Sequence, residues 1–132
     1  MGIQLKWTDE TKTVILQTFE GKWTWEDFYK VNQQAFAMIH TVSHKVDIFS
    51  DFRTSGPLPV GGAITHARNA LKEMPDNWGM LVIINDGVLI NVMVSAFTTM
   101  FRNSMGKKTL LARTLEEAHQ LVQSSSDKDN TR

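Results

Sequence analysis

The run MLVII at residues 80–84 is the stretch that most directly predicts a fold for this chain. Five consecutive apolar residues are too few for a helix, and they lack the alternation of a strand that has one solvated face. Such a run is typical of a parallel strand that is buried on both faces. Parallel strands need long crossover connections, which are usually helical, so the segments on either side of this run are predicted to be helices.

Helical patterns do lie on both sides of residues 80–84. On the N-terminal side, Pro75 ends a series of apolar residues at helical spacing, which are Ile64, Ala67, Leu71 and Met74. On the C-terminal side, residues 88–101 predict a helix whose apolar surface is wider than the arc of about 100° that one sheet face needs. Further out, residues 45–52 and 109–112 are predicted strands, and residues 114–122 predict a final helix that begins with a capping box.

The N-terminal part of the chain predicts a hairpin followed by a helix. Residues 3–7 alternate between apolar and polar, and residues 13–19 are rich in β-branched and aromatic side chains. Thr24 is a favoured N-cap, and Trp23 and Phe28 have the spacing of a hydrophobic staple around it. We therefore expect a helix that begins after Thr24.

The predicted element order is β-β-α-β-α-β-α-β-α. This order indicates an α/β domain with a mixed, largely parallel sheet and flanking helices. We expect a single domain at residues 1–123. Residues 124–132 are polar and are predicted to form a disordered tail.

Composition limits the kinds of partner. The chain has 132 residues and a formal net charge of zero, which argues against nucleic acid as the main partner. It contains no cysteine, so disulfides and thiolate sites are excluded. There is no apolar leader and no apolar run of bilayer length, so we expect a cytoplasmic protein without a transmembrane segment.

Three segments, in this order of elements, resemble a known family: FEGKWTWEDFYKV at residues 19–31, VDIFSDFRTSGPLP at residues 46–59 and TLEEAHQLV at residues 114–122. They are similar to the STAS-like fold of the anti-sigma-factor antagonists, in its SpoIIAA-like branch. The resemblance implies a non-enzymatic regulatory or protein-interaction domain that needs no cofactor and has a regulatory protein as a possible partner.

The same resemblance implies a candidate phosphorylation site. In the antagonists, an Asp-Ser-Ser-Gly motif after the third strand is phosphorylated on serine. The corresponding residues here are Arg53, Thr54, Ser55 and Gly56, of which only Ser55 and Gly56 match the motif. Ser55 and Thr54 are therefore the candidate modification sites, and the alternative is that both hydroxyls satisfy loop backbone.

No catalytic group and no metal site are predicted. The sequence lacks a G-x-S-x-G elbow and the glycine-rich phosphate-binding motifs. Asp51 lies at the end of a predicted parallel strand, where α/β proteins bind ligands, but Arg53 is an alternative partner for it. His40 and His44 are four residues apart, yet the predicted helix ends near His40, so the two do not share a helical face.

The apolar excess of residues 88–101 predicts a contact beyond the protomer's own sheet, or else a helix buried between sheet and neighbouring helices. Self-association is the most frequent such contact, so a homodimer is expected. Its predicted interface residues are Leu89, Met93, Phe97 and Met100.

The alternative function is a carrier or sensor of a small hydrophobic, lipid-like ligand, held between the 88–101 helix and the 53–62 loop. The predicted pocket residues are Leu58, Val60, Phe97 and Phe101, with Arg53 available for an acidic head group.

Overall fold

The computed structural model of this chain describes residues 2–87 and 109–130, with side chains in the last helix described as far as residue 124. The elements of this part, in chain order, are β1 (Ile3–Trp7), β2 (Val14–Gly21), α1 (Trp25–His40), β3 (Val46–Ser55), α2 (Ala63–Lys72), β4 (Trp78–Ile84), β5 (Thr109–Ala112) and α3 (Leu115–Asn130). The helix predicted at residues 88–101, with its interface residues Leu89, Met93, Phe97 and Met100 and the pocket residue Phe101, lies outside the described residues.

The five strands form one mixed sheet in the order β1-β2-β3-β4-β5. β1 pairs with β2 antiparallel, and the other three neighbouring pairs are parallel. The predicted α/β class with a largely parallel sheet is thus confirmed. The full element order of the STAS-like fold stays a prediction, because residues 88–108 separate β4 from β5.

The sheet has two buried faces, and strand alternation assigns side chains to each. On the first, called the α1/α2 face, Ile15 and Ile48 pack with Ala35, Ile39 and Leu71 of the two helices. The second is called the α3 face, and its core residues are Val14, Leu16, Phe49, Val82, Ile84, Ala112 and Ala118. The run at residues 80–84 contributes to both faces, as a doubly covered strand should.

Local sequence signals set the start of α1. Thr24 is the N-cap, and its side chain accepts a hydrogen bond from the Asp27 backbone N–H at 3.1 Å. The Asp27 carboxylate accepts in turn from the Thr24 backbone N–H at 3.0 Å. Trp23 and Phe28 flank this cap with ring centroids 6.3 Å apart. The chain is therefore held at the first turn of α1 by two reciprocal bonds and an aromatic contact.

The last helix begins in a related way. Thr114 Oγ1 accepts from the Glu117 backbone N–H at 3.1 Å, and the Glu117 carboxylate accepts from the Arg113 backbone N–H at 3.1 Å. α3 then continues to Asn130, so its backbone is helical within the segment that was predicted to be a disordered tail.

Candidate ligand-binding site

A cavity of about 130 Å³ lies between the α1/α2 face of the sheet and the two helices that cover it. Its walls come from β2, α1, β3, α2, β4 and β5. The described lining residues are Gln17, Trp23, Trp25, Phe28, Asn32, Phe36, Ile48, Ser50, Phe52, Leu58, Ala63, Ile64, Ala67, Ala70, Leu71, Met74, Leu81, Ile83 and Thr109. None of these side chains is ionisable, so the described wall is mainly hydrocarbon and aromatic.

Small side chains on α2 explain why space remains under this helix. Ala63, Ala67 and Ala70 follow the i, i+4, i+7 spacing that places residues on one helical face, and all three line the cavity. A methyl group at these positions extends too little toward the sheet to fill the layer. The cavity is also lined by large side chains of α1, such as Phe28 and Phe36.

An aromatic cluster closes one end of the cavity. Phe19 stacks on Phe52 with ring centroids 4.2 Å apart. Trp25 meets Trp23 and Phe28 edge to face, at 5.2 Å and 5.5 Å. Edge-to-face and stacked pairs of this kind add stability beyond the area that they bury.

A second aromatic contact joins the two helices beside the cavity. The Trp25 ring stacks on His66 of α2 with centroids 4.5 Å apart. The Tyr29 hydroxyl lies 2.6 Å from His66 Nδ1 and accepts from Asn69 Nδ2 at 3.3 Å. Because the Tyr29 oxygen accepts from Asn69, its own proton can be donated to His66. These contacts fix the spacing of α1 and α2 and so preserve the cavity between them.

A short chain of polar groups crosses the apolar wall. Ser50 Oγ donates to Gln17 Oε1 at 2.9 Å, and Gln17 Nε2 donates to Asn32 Oδ1 at 2.9 Å. All three residues are buried, with exposed fractions of 6%, 2% and 7%. The bonds satisfy both polar atoms of the Gln17 amide and one atom of the Asn32 amide.

Three buried polar atoms of the cavity-lining residues have no hydrogen-bond partner among the described residues. They are Trp25 Nε1, Asn32 Nδ2 and Thr109 Oγ1. Native proteins leave few such groups unpaired, and each one calls for an explanation such as a bound water or ligand. The other tryptophan of the cluster differs, because Trp23 Nε1 donates to Ser55 Oγ at 2.9 Å.

Of the pocket residues predicted from the sequence, the structure describes Leu58, Val60 and Arg53. The predicted pocket itself, between residues 88–101 and the 53–62 loop, extends outside the described residues and stays a prediction. Leu58 does line the cavity, whereas Val60 is 98% exposed. Arg53 is engaged by Asp51, with its Nε 3.0 Å from Oδ1 and its terminal NH₂ group 2.8 Å from Oδ2. Strand alternation puts Asp51 on the sheet face that bears Phe49, away from this cavity, and Arg53 is bound to Asp51. The structure therefore brings Leu58, but neither Val60 nor Arg53, into the described lining.

The bond from Arg53 also affects the acidity of Asp51. Burial acts to raise the pKa of the Asp51 carboxyl, but hydrogen bonds from the Arg53 side chain and backbone, together with its positive charge, outweigh burial and hold the pKa below its ordinary value. Asp51 is thus an ionised partner of Arg53. This is the alternative to a catalytic role that the sequence left open.

The two candidate phosphorylation sites are occupied by structural bonds. Thr54 Oγ1 donates to the Phe19 carbonyl at 2.9 Å. Ser55 Oγ accepts from Trp23 and donates to the Gly56 carbonyl at 2.8 Å. α2 begins at Ala63, so Ser55 is not at the start of that helix. Modification of either hydroxyl stays a prediction. Both residues lie at the end of β3, and their side-chain bonds join this strand end to β2 and to the segments next to it.

Other kinds of site find no support in the part of the chain that the structure describes. Within residues 2–87 and 109–130, there is no cluster of three or more histidine, aspartate or glutamate side chains that could hold a metal ion. None of the described helices has the length and apolarity needed to cross a bilayer.

No protein-family model matches this chain, and no curated protein matches it in sequence. The resemblance to the SpoIIAA-like proteins therefore stays a prediction that rests on the three quoted segments.

The sequence contained a signal for the cavity face that pattern reading missed. Gln17 and Ser50 have the same strand parity as Ile15 and Ile48, which are core residues. Polar residues at core parity on two adjacent strands indicate a polar feature inside the protein. The three alanines of α2 are an equally readable sign of a thinly filled layer.

Proposed function

We propose that this chain is a non-enzymatic binding domain that takes a small hydrophobic molecule in the cavity between the sheet and helices α1 and α2. The observation that supports this most is the cavity itself, about 130 Å³ with a mainly apolar, aromatic wall. An engineered apolar cavity of roughly 150 Å³ stays dry and binds benzene. A space of this size thus suits one ring or a short chain.

The character of the lining supports a neutral ligand. No ionisable side chain belongs to the described lining, and a charge placed in an apolar cavity without a partner is strongly disfavoured. The acidic head group considered from the sequence required Arg53, which is paired with Asp51. We therefore favour an uncharged ligand over a fatty acid.

Regulation through a protein partner and self-association through residues 88–101 stay separate predictions, since they depend on undescribed residues.

The proposal is tested by filling the cavity. Ala67→Leu adds three carbon atoms on the cavity face of α2, whereas Ala37→Leu adds the same atoms at an exposed position of α1. Toluene is titrated into the wild type and both variants, and binding is followed by tryptophan fluorescence and by the rise in melting temperature. We expect toluene to bind the wild type and Ala37→Leu equally and to bind Ala67→Leu at least about tenfold more weakly, since the added group takes up the space of the ring.

Two results would count against the proposal. One is the absence of any response to toluene in the wild type. The other is an equal response in all three proteins, which would place toluene somewhere other than this cavity.

A further inference from the structure

We infer that the N-terminal half of α2, residues 63–69, is a gate over this cavity, and that contacts of His66 and Asn69 with α1 hold the gate closed. The inference rests on the proposed function and specifies how entry to that same site is regulated. It comes from an unequal attachment of α2. One end of the helix is fixed in the core, whereas the half that covers the cavity has no side-chain cap and no fully buried residue.

The start of α2 is held differently from the other elements of the cavity wall. Strands β2 to β5 are joined side by side by their ladders. α1 begins with the capping box of Thr24 and Asp27. The N-cap of α2 is Gly62, which has no side chain to bond the first turn, and that turn contains no acidic residue to favour the positive end of the helix. The first turns of α2 are therefore a part of the wall that can move at low cost.

The two ends of α2 provide a hinge and an anchor. Gly61 and Gly62 precede the helix with φ of 86° and 68°, and glycine changes between positive and negative φ at little steric cost. A side chain at Gly61 would meet nothing within 4 Å, so there is open space beside this residue. At the other end, Leu71 is 3% exposed and packs with Ile39 and Ile48. Motion of α2 is thus concentrated in its first turns, which lie over the cavity.

His66 is at the centre of the contact that closes the gate. Its Nδ1 lies 2.6 Å from the Tyr29 hydroxyl, and that hydroxyl accepts from Asn69 Nδ2 at 3.3 Å. The His66 ring stacks on Trp25 with centroids 4.5 Å apart and an interplanar angle of 25°. Trp25 also lines the cavity, as does Ala67, the residue after His66. Separation of these contacts moves Ala67 away from Trp25 and opens the wall between α1 and α2.

The test measures the rates at which toluene enters and leaves the wild type and Tyr29→Phe, from the NMR line shapes of toluene. Tyr29→Phe keeps the ring and removes both hydrogen bonds to α2. The closed gate loses these bonds whether or not toluene is bound, so the gate opens more often in both states. We expect the association and dissociation rate constants to rise together by about five- to tenfold and the dissociation constant to change by less than about twofold.

Thr114→Ala is the matched control. It removes the hydroxyl that accepts from the Glu117 N–H at the start of α3, on the opposite face of the sheet. Loss of such a cap costs about as much stability as loss of a hydrogen bond. We expect both toluene rate constants of this variant to stay within about twofold of the wild type, because α3 takes no part in the gate. Urea unfolding checks that the two variants lose similar stability.

Relaxation dispersion of the ligand-free protein measures the opening itself, on the microsecond to millisecond timescale. We expect exchange broadening at the backbone amides of residues 61–69 in Tyr29→Phe, with an open population about five- to tenfold larger than in the wild type. The amides of residues 115–122 in α3 are the internal reference, and they are expected to show no such broadening. Absence of broadening at residues 61–69 in Tyr29→Phe would contradict the gate.

The possible failures are distinct. If toluene binds and Tyr29→Phe leaves both rate constants unchanged, or changes them no more than Thr114→Ala does, the gate is wrong and the proposed function stands. The same holds if only the dissociation rate constant rises, because Tyr29 would then stabilise bound toluene and not the closed helix. If toluene does not bind the wild type, the proposed function fails and the inference fails with it.

Discussion

The two faces of the sheet are built from the same strands but are packed differently. The α3 face is covered by small and aliphatic side chains around Phe49, which is completely buried and meets His119 edge to face at 4.9 Å. The α1/α2 face encloses a cavity, and three buried polar atoms of its lining residues have no hydrogen-bond partner in the described part of the chain. A protein interior is normally filled to crystal-like density, so the cavity is the reason that we assign the proposed binding function to the α1/α2 face.

The largest expected effect compares phenylalanines on the two faces. Phe49→Ala removes a fully buried ring from the α3 face and is expected to lower the free energy of unfolding by about 3–5 kcal/mol. Phe36→Ala removes a half-buried ring that already borders open space, and its cost is expected to be about 1–3 kcal/mol. Urea unfolding at neutral pH measures both. Equal losses would mean that the two faces are packed alike.

A smaller effect concerns two carboxylates of β3, Asp47 and Asp51, which strand parity places on the α3 face. Burial raises the pKa of Asp47 above its ordinary value of 3.8, although the Met80 N–H and the Lys45 charge oppose the rise. The pKa of Asp51 is lowered from the same ordinary value, because Arg53 outweighs its burial. The two groups therefore give stability opposite dependences on pH.

For Asp47, the folded state binds the proton more tightly than the unfolded state. The contribution of Asp47 to the free energy of unfolding is greatest below pH 3.8, and it is lost as the pH rises through the raised pKa of the folded state. For Asp51, the contribution is fully present above pH 3.8 and is lost as the pH falls through the lowered value. Relative to the wild type, Asp47→Asn should make stability rise more steeply with pH in the acid range. Asp51→Asn should make it rise less steeply, with a loss of about 1–2 kcal/mol at neutral pH.

Chemical denaturation between pH 3 and pH 7 measures these slopes. Asn at position 47 can still accept from the Met80 N–H through its side-chain oxygen, so the comparison isolates the charge. Slopes that change in the same direction for both variants would show that the two carboxylates do not differ in environment.

Much of the fold could be predicted from the sequence, because interactions between residues close together in the chain determine it. The cap at Thr24 depends on residues within four positions, and the buried run at residues 80–84 depends only on its own composition. The site was less accessible. Arg53 has a partner two residues away, and the loop that contains Leu58 and Val60 turns one side chain inward and the other out. Such outcomes depend on the meeting of separate elements, which local patterns do not encode.

The cavity shows the same limit. Its polar chain joins Gln17, Asn32 and Ser50 from three elements, and its open volume follows from how closely α2 approaches the sheet. The residue types carried a hint, but the distance between layers is a property of the assembled fold.

Crystals of the full chain under xenon pressure test the proposed binding site most directly, because xenon occupies apolar cavities of benzene size without needing a specific contact. We expect xenon between the α2 alanines and the sheet, beside Phe36 and Leu81. A structure in which protein side chains fill that space and xenon is absent from it would contradict the assignment of a ligand site to this face.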